Sequence, residues 1–224
     1  MVVEKSDLHV SAKLRFRSDL FLLLSLLLVI LLNPVLDHGD WRRLVLGALW
    51  FIPVTLSTVR LSQLKVRMWP AVLLMLGVVV FSVASNIFPN RLLSGIHWGL
   101  VSAFFALSAV RLFSYLKNSL SVGEAQLHTA VSIYLLLACA WAALYAATAD
   151  LYPSSFQLGT NTTDRQSDLL YFSLVTLTTV GYGDVVPLSG EARMLAALEA
   201  VTGVVYIAIT VAILVSGYRR GSSD

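Results

Sequence analysis

The chain has 224 residues, of which 57% are hydrophobic and only 13% charged, with a mean hydropathy of +0.78. A water-soluble domain of this length carries about a quarter charged residues, so the composition excludes an ordinary soluble enzyme or nucleic-acid binder and points to a polytopic membrane protein. The net charge is +3, and a single cysteine, Cys139, rules out an intrachain disulfide.

In chain order, a polar N-terminal stretch (1–18) precedes six apolar segments at 19–36, 42–60, 68–88, 92–116, 127–149 and 191–217. Each is near or above the ~20 residues that cross the hydrocarbon core. The first runs into "NPVLDHGDW" without a small-residue cleavage site, so it reads as a retained span rather than a removed signal. A seventh apolar segment, 167–179, is too short to cross and fits a re-entrant helix.

With the N-terminus inside, the cytoplasmic side receives Lys5, Lys13, Arg15, Arg17, Arg60, Lys65, Arg67, Arg111, Lys117, Arg219 and Arg220. The outer side receives Arg42, Arg43, Arg91, Arg165 and Arg193. This imbalance predicts both termini in the cytoplasm, as an even number of spans requires. The expected address is the plasma membrane, or the inner membrane of a bacterium. The loop 150–166 is polar and outside, with a formal glycosylation sequon at Asn161. The tail, 218–224, ends a few residues past the last span, so no cytoplasmic ligand-sensing domain is expected within this chain.

Between the re-entrant segment and the last span lies "TLTTVGYGDVVP", 176–187. Non-helical backbone at membrane depth is tolerated only where protein buries it or it lines a watery path. Glycines there allow backbone conformations in which carbonyl oxygens replace the water around a cation. "TTVGYGD" at Thr178–Asp184, preceded by "DLLYFSLVTL", closely resembles the pore helix and selectivity filter of potassium channels. The sequence "GYGDVVPLSGEARMLAALEAVTGVVYIAITVAILVSGY" resembles that family's filter exit and inner helix. The preceding spans resemble its six-span branch by topology alone.

The resemblance implies an all-α membrane protein with six transmembrane helices, a re-entrant pore helix and a filter loop. It implies a four-span sensor-like domain over 19–117, a linker at 118–126 and a pore domain over 127–217. Potassium ions would be held by the carbonyls of Thr179, Val180, Gly181 and Tyr182, with the Thr179 hydroxyl forming the innermost ring. Thr178, Gly183 and Asp184 would support the filter. Phe172 and Thr176 would brace the Tyr182 ring, and Tyr171 would hydrogen-bond Asp184 where many relatives use a tryptophan. Val175 stands where some relatives carry a glutamate, so that carboxylate pair is missing. Gly203 would be the gating hinge. One loop cannot surround an ion, so the implied unit is a fourfold homotetramer in the lipid bilayer.

Two further readings concern gating. The fourth span carries Arg91 and Arg111 at its ends and only His97 between them, where a voltage sensor would repeat a cation every third residue. Weak or no voltage dependence is expected; the gating stimulus is left open, an unidentified ligand or subunit being one candidate. Glu199 lies inside the last span. If Val204, Ala208, Val211 and Val215 line an apolar cavity, helical spacing turns Glu199 away from it, toward the pore helix and its threonines. The expected function is passive, potassium-selective conduction without cofactor, catalytic residues or nucleic-acid partner. A weakly selective cation channel, or a non-conducting subunit or scaffold, is the alternative.

Overall fold

The computed structural model describes residues 20–32, 52–53, 55–56, 69–118, 123–159 and 165–221. The N-terminal stretch 1–18, most of the second expected span, the sequon at Asn161 and the last three residues lie outside the described residues. Almost everything described is helical: α1 (Leu20–Leu32), α2 (Trp69–Ile87), α3 (Arg91–Lys117), α4 (Glu124–Leu151), α5 (Arg165–Leu177) and α6 (Gly190–Gly221). Among the described residues, four helices are long and apolar enough to cross a membrane, namely α2, α3, α4 and the segment Gly190–Ser216 of α6. The protein is thus a multi-pass membrane protein of predominantly helical build.

The helix starts have local causes. Asn90 caps α3 by accepting a hydrogen bond from the Leu92 amide at 2.9 Å. Gln126 reaches back to accept from the Gly123 amide ahead of α4 (2.9 Å), and the Ser189 hydroxyl accepts from the Ala192 amide as α6 begins (3.2 Å). Each satisfies a donor that the first helical turn leaves without an intrahelical partner.

α4 is the organising helix. At 28 residues it is about 42 Å long, enough to span the hydrocarbon core with room to spare. Ala138, Ala140, Ala142, Ala143, Ala146 and Ala147 are buried along it, and such small side chains let neighbouring helices approach closely. α3 contributes Phe104, Phe105, Leu112 and Leu116 to the same core, and α1 adds Leu22 and Leu26, spaced one turn apart.

α6 lies against α4 and α5 along a stripe of Ala192, Glu199, Gly203 and Thr210, all buried. Tyr206 lies on that side too. Its hydroxyl donates to the Ala130 carbonyl of α4 (2.6 Å), and its ring packs near Phe113 of α3 and Tyr134 of α4.

Where α4 ends and α6 begins, a short antiparallel pair departs from a purely helical build. Strand β1 (Phe156–Gln157) pairs with β2 (Val186–Pro187), with Phe156 opposite Pro187 and Gln157 opposite Val186. The Leu188 amide adds a bond to the Ser155 carbonyl at 2.7 Å. This pairing ties the loop after α4 to the chain leaving the 178–184 segment, and so fixes where that segment ends.

Candidate functional site

The site is the loop between α5 and α6. α5 ends at Leu177, and the backbone then folds back along the last turn of that helix. The Thr178 amide donates to the Leu174 carbonyl (3.1 Å), and Thr179 to Thr176 (2.9 Å). Val180 and Gly181 both donate to the Val175 carbonyl, at 2.8 and 3.1 Å. These bonds spend the amides of the loop on the helix end. Among the described residues, none donates to the carbonyl oxygens of Thr179, Val180, Gly181 or Tyr182.

Left-handed backbone recurs at every second residue: Thr179 has φ of 60°, Gly181 of 55° and Gly183 of 80°. Alternation of left-handed with ordinary conformations turns successive peptide groups the same way, creating a row of like-oriented dipoles. Glycine adopts positive φ freely. Thr179 is a β-branched residue in that region, a strain of about 1–3 kcal/mol that the surrounding bonds must hold in place. Residues 178–184 are all exposed on the single chain, Tyr182 by 73%.

Asp184 closes the end of the loop that leads toward α6. The Tyr171 hydroxyl of α5 donates to its Oδ2 at 2.7 Å, and the Val185 amide to its Oδ1 at 3.1 Å. The tyrosine bond holds the Asp184 carboxyl below its ordinary range.

Three of the expected site residues have contacts of their own within the chain. Phe172 does not brace Tyr182 within the chain. It is buried in an aromatic cluster with Tyr145 and Phe156, with ring centroids 5.1 and 5.8 Å away. Thr176 contributes its backbone carbonyl to the Thr179 amide. Gly203 sits in an unbroken stretch of α6, hard against the end of α5. A Cβ there would overlap the Leu177 carbonyl oxygen and come within 2.9 Å of its carbonyl carbon. This glycine is a close-packing position. Glu199 is fully buried and faces α5 and α4, but its partners are the hydroxyls of Ser173 (2.5 Å) and Tyr145, not threonines.

Val204, Ala208, Val211 and Val215 all lie on the exposed face of α6, opposite its buried stripe. His97, in α3, has Nδ1 3.2 Å from the Val78 carbonyl, so the tautomer with hydrogen on Nδ1 links α3 to α2.

Sequence reasoning missed several participants. Tyr134 donates to the Leu177 carbonyl at 3.1 Å, gripping the helix end from which the loop departs. Asp150, at the end of α4, pairs with Arg165 at the start of α5 and accepts from Ser94 of α3 (2.5 Å). Asp150 and Arg165 also line a cavity of about 200 Å³ together with Arg91 and Phe156. An acidic residue near the end of an apolar span was the available signal; its partners are too far away in sequence to read.

Such a site, a short helix leading into a carbonyl-bearing loop flanked by two spanning helices, is an arrangement that an ion pathway would need. In agreement, residues 131–219 match a protein family described as Ion channel. The relatives are more particular. A Rhodopseudomonas palustris protein described as a potassium channel protein is 32% identical over 118 residues, which is 51% of this chain and 27% of that one. The two pore potassium channel b of Oryza sativa subsp. japonica is 53% identical over 49 residues, 22% of this chain and 14% of its own. The potassium voltage-gated channel protein Shal of Drosophila melanogaster is 32% identical over 87 residues, 39% and 15% respectively. This part of the chain therefore shares the resemblance to potassium channels that the loop motif suggests, while the matches span less than a third of these relatives' own length. No solved structure matches the chain.

Proposed function

We propose that the chain is the subunit of a fourfold homotetrameric, potassium-selective channel that conducts passively across the plasma membrane or a bacterial inner membrane. The observation that supports this most directly is the alternation of left-handed backbone at Thr179, Gly181 and Gly183, with no donor to the intervening carbonyls among the described residues. Four such loops around one axis would give rings of oxygens that replace the hydration shell of a potassium ion. The exposed apolar face of α6, with Val204, Ala208, Val211 and Val215, is then the wall of the inner cavity. Six spans per subunit, with both termini cytoplasmic, complete the proposed topology.

Reconstituted protein in planar bilayers under opposed potassium and sodium gradients tests this reading. The reversal potential is expected to follow potassium. A reversal that follows both ions equally would make it an unselective cation channel, and tetramers that pass no current would make it a scaffold.

A further inference from the structure

Four groups behind the proposed filter are completely buried: Tyr145 and Ala138 on α4, Ser173 on α5 and Glu199 on α6. Their hydrogens can be counted. The Ser173 oxygen lies 2.8 Å from the Ala138 carbonyl oxygen and 2.5 Å from Glu199 Oε1. Both separations require a hydrogen between the oxygens. A serine hydroxyl has only one to donate, and a carbonyl has none, so the serine hydrogen goes to Ala138. The hydrogen in the Ser173–Glu199 contact must then come from the glutamate. Tyr145 donates its own hydrogen to the other carboxyl oxygen, Oε2.

We infer that Glu199 is held as a neutral carboxylic acid, the middle link of a directed chain of hydrogen bonds from Tyr145 through Glu199 and Ser173 to the Ala138 carbonyl. Three hydrogens serve three acceptors, and no lone pair is forced against another. The chain begins and ends on α4 and passes through α6 and α5, so it fastens the helix bearing the loop to both long helices of the pore part.

The electrostatics agree. A bare carboxylate buried at membrane depth needs a cation or several donors. Among the described residues its hydrogen-bond partners are two hydroxyls, and the Tyr134 phenol of α4 also lies near. Glu199 is thus a positioning residue that acts through hydrogen-bond geometry instead of charge.

The test is spectroscopic and requires no current. The chain has four glutamates, Glu4, Glu124, Glu191 and Glu199. Full-length protein labelled with carbon-13 at the glutamate carboxyl and reconstituted in lipid vesicles at neutral pH is expected to show one resonance at the neutral-acid position. E199Q should remove that resonance. All four glutamates at the carboxylate position would overturn the inference. Should E199Q not assemble, the E4Q/E124Q/E191Q chain retains Glu199 as its sole glutamate and shows its state directly.

A second arm compares assembly. E199Q can donate to Ser173 and accept from Tyr145 as the neutral acid does, and is expected to form oligomers as stable as the wild type. E199D keeps an acid but shortens the reach, and should not. Assembly of E199D with failure of E199Q would show that charge is what the site needs. A neutral-acid resonance in a protein that never conducts potassium would sink the proposed function while leaving this inference standing.

Discussion

The Tyr171 hydroxyl donates to Asp184 across 2.7 Å, joining the middle of α5 to the far end of the loop that follows it. Both side chains come from the stretch singled out by sequence, thirteen positions apart, and the bond spans the loop from outside. With the Val185 amide on the other carboxyl oxygen, Asp184 becomes a clasp rather than a free surface charge.

Removing that clasp with Tyr171→Phe is expected to leave a potassium-conducting channel whose current declines several times faster during sustained opening. Tyr171→Trp, which restores a donor, should return the decline toward the wild-type rate. Macroscopic currents from reconstituted protein measure this, and equal decline rates in all three proteins would show that the bond does not steady the loop.

The same pair predicts a response to outer pH. A carboxyl held below its ordinary range contributes its stabilisation above the unfolded-state value and loses it only as pH falls through the lowered folded-state value. Acidifying the outer solution from neutral to about pH 5, still above the ordinary aspartate value, should therefore leave the decline rate unchanged. In Tyr171→Phe the loss of the bond moves the onset of acid sensitivity to higher pH. Recording the decline against outer pH decides; sensitivity beginning near neutral in the wild type would contradict the clasp.

Gly181→Ala and Gly183→Ala should each abolish potassium selectivity or current. A Cβ at either position meets nothing within 4 Å in the single chain, so space within the chain is not the obstacle. The obstacle is conformation, since positive φ costs an L-residue roughly 1–2 kcal/mol, and relaxing it would rotate carbonyls out of the row. Wild-type permeation in both variants would end the filter assignment.

Gly203→Ala distinguishes packing from hinging. Overpacking against the Leu177 carbonyl is expected to destabilise the fold by about 1–3 kcal/mol, seen as a lower melting temperature of the detergent-solubilised protein. A protein of unchanged stability with altered gating would restore the hinge.

Steady-state conductance should vary little with voltage. One elementary charge crossing 100 mV yields about 2.3 kcal/mol, so steep gating needs several moving charges. α3 has arginines only at position 91 and, between five and six turns on, position 111, and the His97 ring between them is engaged with Val78. A steep sigmoid in the conductance–voltage curve would overturn this.

Sequence by itself was enough to reveal a membrane protein, the long apolar helices of its second half, and the loop with its glycines. Apolar run length follows from bilayer thickness, and positive backbone angles call for glycine, so both leave a trace in local residue order. Thr179 already marks the limit, because a β-branched residue gives no hint that it occupies left-handed backbone. That conformation is imposed by amides bonding back to Val175 and Thr176.

Only the tertiary structure decided what Glu199, Gly203 and Phe172 do. Helical spacing turned Glu199 toward α5, yet its partners, Ser173 and Tyr145, lie 26 and 54 positions away in the chain. The Leu177 carbonyl against Gly203, and the Tyr145 and Phe156 rings around Phe172, are likewise contacts that local residue order does not announce. Hydrogen bonds and ring contacts are short-ranged in space but blind to sequence separation, so these roles emerge only once α4, α5 and α6 are packed together.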